Sequence, residues 1–295
     1  MAVENRVENN HVENPAEYVL ERLSWTVGRL GRAAAAPVHT HVAEAPPAVR
    51  RIAPADLWQA LREGAADLAA TRADVAFIGL IYPLAGLVLA ELFVSRNLLP
   101  LIFPLVSGFA LVGPLAAIGL YEISRRRELG EPVSWSVVSK VFGSPALGSI
   151  LGVGSILLML FLLWMAVAYG IYAATLGPQP PASAGAFLRD VFQTGAGWTM
   201  IIVGCGVGFL FAVAALAISV VSFPLLLDRD VGMQTAIGTS FRAVAANPVP
   251  MALWGLIVVG GLVAGSAPAL VGLIIVMPLL GHATWRLYRK VVEPA

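Results

Sequence analysis

Charged residues are scarce in this chain. They make up 13% of its 295 residues, while 58% are hydrophobic; ordinary soluble domains have roughly 25% charged residues. No Asp, Glu, Lys or Arg occurs in five stretches: residues 75–90, 97–121, 141–188, 191–227 and 243–285. A membrane-spanning helix needs about 20 apolar residues. The composition therefore excludes an ordinary soluble protein and predicts a polytopic membrane protein.

Cysteine and histidine are rare as well. The single cysteine, Cys205, lies inside an apolar stretch, which excludes a disulfide framework and a cysteine-based metal site. Of the four histidines, only His282 lies in an apolar stretch. The net charge of +1 comes from basic residues spread along the chain, so nothing in it points to nucleic acid. The polar N-terminus lacks the pattern of a cleaved signal peptide, and we expect the first span to serve as the anchor.

The apolar stretches and their turns predict six membrane-spanning helices: residues 74–94, 98–122, 146–175, 198–227, 248–265 and 268–286. Lys and Arg concentrate in the loops that follow the second, fourth and sixth helices, whereas the opposite loops hold only Arg96 and Arg189. Cytoplasmic loops carry the excess of positive charge. We therefore expect both termini in the cytoplasm, in a multi-pass protein of the bacterial inner (plasma) membrane.

The loops on the basic side resemble one another and predict a threefold internal repeat. Three short amphipathic helices are expected before the odd-numbered spans, in "APADLWQALREGAADLAA", "EPVSWSVVSKVFGSPALG" and "GMQTAIGTSFRAVAANPVP". The even spans also correspond: "GPLAAIGLYEISRR" (113–126) aligns with "MPLLGHATWRLYRK" (277–290), and "SFPLLLDRD" (222–230) is a shorter version. The predicted fold is an all-α membrane protein, a six-transmembrane-helix bundle of three units, each an interfacial amphipathic helix plus a helical hairpin. The alternative is that any cytoplasmic loop between spans acquires such features.

Residues 1–50 form a polar segment that we predict to be cytoplasmic and partly disordered, ahead of a six-span membrane domain over residues 51–292. Within it, "PAEYVLERLSWTVGRL" predicts an amphipathic helix near 15–32, with arginines opposite an apolar face. Such a helix suits the cytoplasmic membrane surface or a partner protein.

The segment "GHATWRLYRK" (281–290) places His282 about one turn before an aromatic and basic cluster. This order is typical of a helix that leaves the membrane, with Trp285 and Tyr288 as anchors at the headgroups and Arg289 reaching to water. We interpret His282 as hydrogen-bonded to a neighbouring helix; a haem or metal ligand and a lipid or partner contact are the alternatives. No second histidine lies at this depth, so we predict no cofactor and no metal. The candidate contacts with a partner or lipid are His282, Trp285, Arg286, Tyr288, Arg289, Arg125 and Arg126.

Signatures of membrane enzymes are missing. The "VSGF" sequence around Ser107 lacks the preceding glycine of an intramembrane serine protease, and no aspartate or His-Glu cluster lies in the middle of a predicted span. A proton-coupled transporter would also be expected to place a carboxylate near the midplane. The acidic residues lie instead at span ends, where Glu122 and Asp228 are expected to pair with Arg125 and Arg229. We predict that the protein is not an enzyme.

Three long segments resemble a bacterial family of predicted integral membrane proteins of unknown function. They are "FPLVSGFALVGPLAAIGLYEISRRRELG", "SVVSFPLLLDRDVG" and "LGHATWRLYRK", and the resemblance runs from residue 14 to Val292. It implies a six-span inner-membrane architecture and no established activity. Relatives have His at the position of Arg286, so this chain lacks that second ligand beside His282. Some relatives are labelled cytochrome c oxidase subunit I-like, but such a subunit needs several buried histidines for its haems and copper, and this chain has only His282 in an apolar stretch.

We expect a non-catalytic membrane protein, an accessory or structural subunit that packs against a larger membrane complex of the respiratory or photosynthetic type. The expected partners are membrane lipids and that complex, with no nucleic acid and no soluble substrate. The alternative function is a carrier or transporter of small solutes or lipids. Charge in the middle of the membrane would favour the carrier, and the apolar stretches hold none.

Overall fold

The computed structural model of the chain describes residues 46–70, 84, 86–88, 91, 98–131, 144–268 and 270–294. These residues belong to one compact unit, Val38–Ala295. The described helices are α1 (Pro54–Ala69), α2 (Ile102–Ala116), α3 (Ile118–Glu128), α4 (Leu147–Thr175), α5 (Ala184–Gln193), α6 (Gly195–Ser219), α7 (Ser222–Asp228), α8 (Met233–Ala246), α9 (Pro248–Ser266) and α10 (Leu273–Val291). A 3-10 turn, Leu99–Leu101, leads into α2. The all-α fold class is confirmed for these residues.

Among the described residues, three helical segments are long and apolar enough to cross a membrane. They are Leu147–Thr175, Gly195–Asp228 and Pro248–Ser266, and they correspond to the predicted spans 146–175, 198–227 and 248–265. The N-termini of two helices are stabilised by side chains, because Ser183 accepts a hydrogen bond from the Ala186 N–H (3.1 Å) and Thr194 accepts one from the Gly197 N–H (2.9 Å). These caps separate the short helix α5 from the long helix α6.

The second predicted span, 98–122, is two helices in the structure. Helix α2 ends at Ala116 and α3 begins at Ile118, with Ala117 between them at ψ −3°. Pro114 lies just before this break and cannot donate a backbone hydrogen bond. Helix α3 continues to Glu128 because its apolar side is buried and Glu122 pairs along the helix with Arg126 at 2.7 Å.

A proline also accompanies the break between α6 and α7. Pro224 lies in the first turn of α7, where its missing N–H is tolerated, and it cannot bond to the carbonyl of Val220. The N–H of Val221, at the break, donates to the Ser240 hydroxyl of α8 (3.2 Å). A side chain of a neighbouring helix thus satisfies the interrupted backbone.

Helix α10 is displaced relative to the predicted span 268–286. It begins at Leu273, because the preceding turn places Leu270 in the left-handed region at φ 68°. It continues to Val291, because its polar C-terminal half packs inside the protein rather than leaving it. The sequence predicts that the polar end leaves the membrane. Its burial against other helices of the protein is the physical reason for the difference.

Two of the three predicted amphipathic loop helices lie within the described residues, as α1 and α8. Helix α1 buries Leu57, Ala60, Gly64 and Asp67, whereas α8 buries small and polar residues such as Ala236 and leaves Phe241 49% exposed. The loop helix around 132–143, most of the first span (74–94) and the predicted helix at 15–32 lie outside the described residues; residues 84, 86–88 and 91 of that span are helical.

The residues just before α1 contact the C-terminal end of the chain. Val49 and Val292 form an antiparallel β-bridge, with the Arg50 N–H donating to the Val291 carbonyl (2.7 Å). Buried Asn247 fixes the same segment, because its Oδ1 accepts the Ile52 N–H (2.8 Å) and its Nδ2 donates to the Arg50 carbonyl (3.0 Å). The folded unit therefore includes residues from Pro47 onward, some of which the sequence interpretation had assigned to the polar N-terminal segment.

Candidate functional site: a buried polar cluster around His282

Four helices, α1, α3, α7 and α10, bring their polar side chains together at one place. Helix α10 packs most closely on α1: a Cβ atom added at Gly64 would lie 2.6 Å from the backbone nitrogen of Ala283. Gly281 is similarly close to α3, since a Cβ there would lie 2.6 Å from a methyl group of Leu120. Glycine at these two positions lets the helices approach until their polar groups can bond. We call the polar side chains that meet here the α10 polar cluster: Asp67, Ser124, Arg127, Glu128, Asp228, His282, Trp285, Arg286, Tyr288 and Arg289.

His282 lies at the centre of the α10 polar cluster and has no exposed surface. Its Nδ1 is 2.8 Å from the Ser124 hydroxyl of α3, and that hydroxyl donates its one hydrogen to Asp67 Oδ2 (2.9 Å). The serine oxygen can therefore only accept from the histidine, which fixes the neutral imidazole with its hydrogen on Nδ1. The expected hydrogen bond from His282 to a neighbouring helix is present.

The other ring nitrogen of His282, Nε2, is buried and has no hydrogen-bond partner within the described part of the chain. In the tautomer that Ser124 imposes, Nε2 carries a lone pair and no hydrogen. An imidazolium would instead bury an unpaired N–H together with a positive charge, which costs far more than an unpaired acceptor. Neutral histidine is the form that this packing accommodates.

Asp67 is the carboxylate on which the cluster is built. It is 3% exposed, and Arg286 binds it in a bidentate manner, with Nε and Nη2 each 2.8 Å from a carboxylate oxygen. Arg127 adds a second guanidinium at 3.4 Å and donates a hydrogen bond to the Asp67 backbone carbonyl at 3.0 Å. Planar bidentate pairs of this kind are among the strongest polar contacts in proteins. The residue therefore joins α1 to both α3 and α10.

A second network ties α10 to α3 and α7. The Trp285 indole N–H donates to Glu128 Oε2 (3.0 Å), and Arg289 binds the other oxygen of Glu128 (2.9 Å). Arg289 also reaches Asp228 of α7 (3.3 Å), to which the Tyr288 hydroxyl donates (2.6 Å). Burial and, after it, the hydrogen bond to Asp228 raise the pKa of Tyr288 above its usual value, so it remains a phenol and a donor.

The aromatic residues of this segment were predicted as anchors at the lipid headgroups, and the structure places them elsewhere. Trp285 and Tyr288 are each 1% exposed, with their rings 5.4 Å apart inside the protein. His282 is fully buried as well. In this conformation these three residues have no surface to offer a lipid or partner. Arg286 and Arg289 are engaged with carboxylates of the chain, with side-chain exposures of 20% and 29%.

The remaining candidate contacts, Arg125 and Arg126, lie on α3 and pair with Glu122 of the same helix; the pair with Arg125 was expected, and the pair with Arg126 was not. The distances are 3.4 Å for Arg125 and 2.7 Å for Arg126, and the latter also reaches Glu131 at 3.5 Å. Their side chains are 29% and 16% exposed. Arg125 therefore offers the larger surface for a contact, and whether either residue makes one stays a prediction.

Asp67, Ser124 and Glu128 belong to the cluster but were not among the predicted site residues. Asp67 carried a signal: it follows Leu57, Ala60 and Gly64 on the buried face of an amphipathic helix, where a carboxylate needs a partner. Ser124 and Glu128 lie beside three arginines in "ISRRRE" and carried no distinct signal. Within the described ranges, no group of three or more His, Cys, Asp or Glu side chains is arranged to hold a metal ion.

In a comparison with protein families, helices α2 to α7 match a known family. Residues 102–228 match the family described as "Predicted integral membrane protein (DUF2189)". The predicted resemblance to a family of integral membrane proteins of unknown function is thereby confirmed over this part of the chain. The matched region contributes Ser124, Arg127, Glu128 and Asp228 to the α10 polar cluster; Asp67 and the whole of α10 lie outside it. No curated protein and no solved structure matches the chain.

Proposed function

We propose that this integral membrane protein is a non-catalytic accessory or structural subunit, located in the bacterial inner membrane, that packs against a larger membrane complex of the respiratory or photosynthetic type. The observation that carries the proposal is the outward face of α6. In the apolar part of the segment Gly195–Asp228, only 11% of the residues are buried inside the chain. The corresponding share is 28% in α4 and 22% in α9.

The outward face of α6 combines large apolar side chains with a gap between them. Trp198, Ile202, Gly206 and Leu210 follow one another at intervals of four residues, so they lie in one row along the helix. The three large residues are 52%, 69% and 64% exposed, and a Cβ atom added at Gly206 would meet nothing within 4 Å. In a bilayer, lipid covers apolar surface anywhere, but small residues let a second helix approach closely. A row of this shape is suited to a partner helix.

The polar groups of the described residues support a structural role over a carrier. Helices α4, α6 and α9 contain no Asp, Glu, Lys or Arg. The carboxylates of Asp67, Glu128 and Asp228 are each bound by a guanidinium. Each of these ion pairs joins α10 to another helix, which suits a structural role.

We also propose the finer architecture: six spans, both termini in the cytoplasm and three repeated units. Helices α3, α7 and α10 contact one another, and they contain the three segments whose sequences correspond. Helix α8 packs on α6 and α7 of the preceding unit, and α1 packs on α9 and α10 of the last unit. This cyclic order is what three equivalent units around an axis would give, and it supports the repeat.

The test of the accessory role is purification from native membranes in mild detergent, with the co-purifying proteins identified and quantified. Gly206→Leu fills the gap on α6, and we expect it to lower recovery of the partner complex at least tenfold while the protein still inserts. Gly170→Leu on α4 is the matched control, because Gly170 is also exposed and an added Cβ there meets nothing within 4 Å. Equal recovery from both variants, or a wild-type protein that purifies alone, would contradict the proposal.

A further inference from the structure

A shallow groove of about 270 Å³ lies between the first half of α1 and helix α9. Its walls are apolar, and its floor is Leu57, which is 2% exposed, whereas Trp58 stands at its rim with 64% of its surface exposed. The residues that line it are Pro54, Leu57, Trp58, Leu253, Leu256 and Ile257. The groove is formed by other helices than the row on α6, and it concerns a different kind of ligand.

The position of the groove along α9 indicates the level at which it meets the membrane. Helix α9 begins at Pro248 and is one of the three segments that can cross a membrane. At 1.5 Å per residue, Leu253 and Ile257 lie roughly 8–14 Å along the helix from Pro248. If the start of α9 lies at the membrane surface, this is the depth of the first acyl carbons. Trp58 then has the location that tryptophan prefers, at the boundary between headgroups and chains.

The charges of α1 are sorted between its two sides. Its acidic residues are engaged with the protein: Asp56 accepts the Ala53 N–H at 2.7 Å, Glu63 binds Lys290 at 3.3 Å, and Asp67 lies in the α10 polar cluster. The exposed residues of the helix are Pro54, Ala55, Trp58, Gln59, Arg62, Ala65, Ala66 and Ala69. Their single charge is positive.

Two exposed arginines of this region, Arg62 and Arg51, have no ion-pair partner in the described part of the chain. Arg62 lies four residues after Trp58 on the same side of α1, and Arg51 precedes the helix; both are exposed. Residues four apart on a helix have Cβ atoms about 5–6 Å apart, so the Arg62 guanidinium can reach a group held above Trp58. An anionic group above an apolar groove is what this arrangement complements.

We propose that the groove binds one acyl chain of an anionic phospholipid, and that Arg62 binds its phosphate. The chain lies against Leu253, Leu256 and Ile257, with Trp58 covering its upper part. The bilayer is the source of this ligand, since the groove opens beside the exposed apolar surface of α9.

The proposal is tested with the full-length protein in detergent, by native mass spectrometry of retained lipid. Phosphatidylglycerol and phosphatidylcholine with the same chains are offered in competition. We expect the wild type to retain phosphatidylglycerol preferentially. We expect Arg62→Gln to lower that retention about fivefold, which corresponds to the contribution of one arginine near a membrane surface. Trp58→Ala should lower the retention of both lipids.

Matched controls come from exposed residues elsewhere in the chain. Arg189→Gln on α5 and Phe241→Ala on α8, where Phe241 is 49% exposed, should leave the retention unchanged. Inorganic phosphate at millimolar concentration should not displace the lipid; displacement would show an anion site that does not need the groove. Equal retention of the two lipids by the wild type, or equal losses in the test and control variants, would overturn the proposal. Lipid retention is measured on the purified protein alone, so its outcome does not depend on whether a partner complex is found.

Discussion

Replacing Asp67 by Asn removes the negative charge that Arg286 and Arg127 share in the α10 polar cluster. The amide keeps the volume of the side chain, so the change tests the charge and not the packing. Removing one partner of a buried ion pair costs about 3–5 kcal/mol, because the other charge is left uncompensated. Arg127 is 36% exposed and regains contact with water, and Arg286 is 20% exposed. We therefore expect Asp67→Asn to lower the free energy of unfolding by about 2–3 kcal/mol.

The measurement is unfolding in mixed micelles by titration with a denaturing detergent, followed by tryptophan fluorescence. Asp56→Asn on the same helix is the control, because Asp56 makes only an exposed bond to the Ala53 N–H and should cost less than about 1 kcal/mol. Arg286→Met completes a double-mutant cycle, for which we expect a coupling energy above about 1 kcal/mol. If the free energy of unfolding of Asp67→Asn lies within about 0.5 kcal/mol of the wild-type value, the α10 polar cluster does not stabilise the fold as we expect.

Three further results are expected. His282→Ala should lower the free energy of unfolding by about 2–4 kcal/mol, because it loses a hydrogen bond and leaves a cavity at a fully buried site; purified wild type should show no haem absorption, and bound haem that disappears in this variant would make the residue a ligand. Reporter fusions should give a cytoplasmic signal at Gly130 and an outer signal at Gly185, and a cytoplasmic signal at Gly185 would refute the six-span topology. Deleting residues 1–45 should leave the melting temperature unchanged, whereas deleting 1–52 should lower it by removing the bonds to the C-terminal end; equal effects would show that the contact adds no stability.

The spans that were predicted well are those bounded by proline or glycine within long apolar stretches. Residues 146–175 were predicted and Leu147–Thr175 is helical, and the prediction of 248–265 corresponds to Pro248–Ser266. Hydropathy locates such helices because each residue adds to the apolar character of the segment independently of its contacts in the folded protein. The two spans that ended in "YEISRR" and "TWRLYRK" were placed less well, because there the partners of the polar residues decide where the helix belongs.

The α10 polar cluster could be predicted only in part for the same reason. An aromatic and basic segment after an apolar run has the same appearance whether the helix leaves the membrane or packs into a polar interior. The carboxylates that decide between these cases, Asp67 and Glu128, are 219 and 157 residues away from Arg286 and Trp285 in sequence. Periodicity within one helix carries no information on contacts of that range. The hydrogen bond of His282 was predicted because any buried imidazole needs one, while its partner Ser124 was not.

The pairing of α1 with α10 has a consequence for the order in which the chain is made. Asp67 emerges from the ribosome 219 residues before Arg286, which at 5–20 residues per second is a delay of roughly 10–45 s. During that time α1 has neither the arginine that binds its carboxylate in a bidentate manner nor the helix on which it packs most closely. Until α10 is made, the apolar side of α1 can lie against the membrane surface. Any nascent chain cut short before Gly281 carries α1 permanently without its partner, and a protease or chaperone at the membrane surface has an exposed helix by which to recognise it.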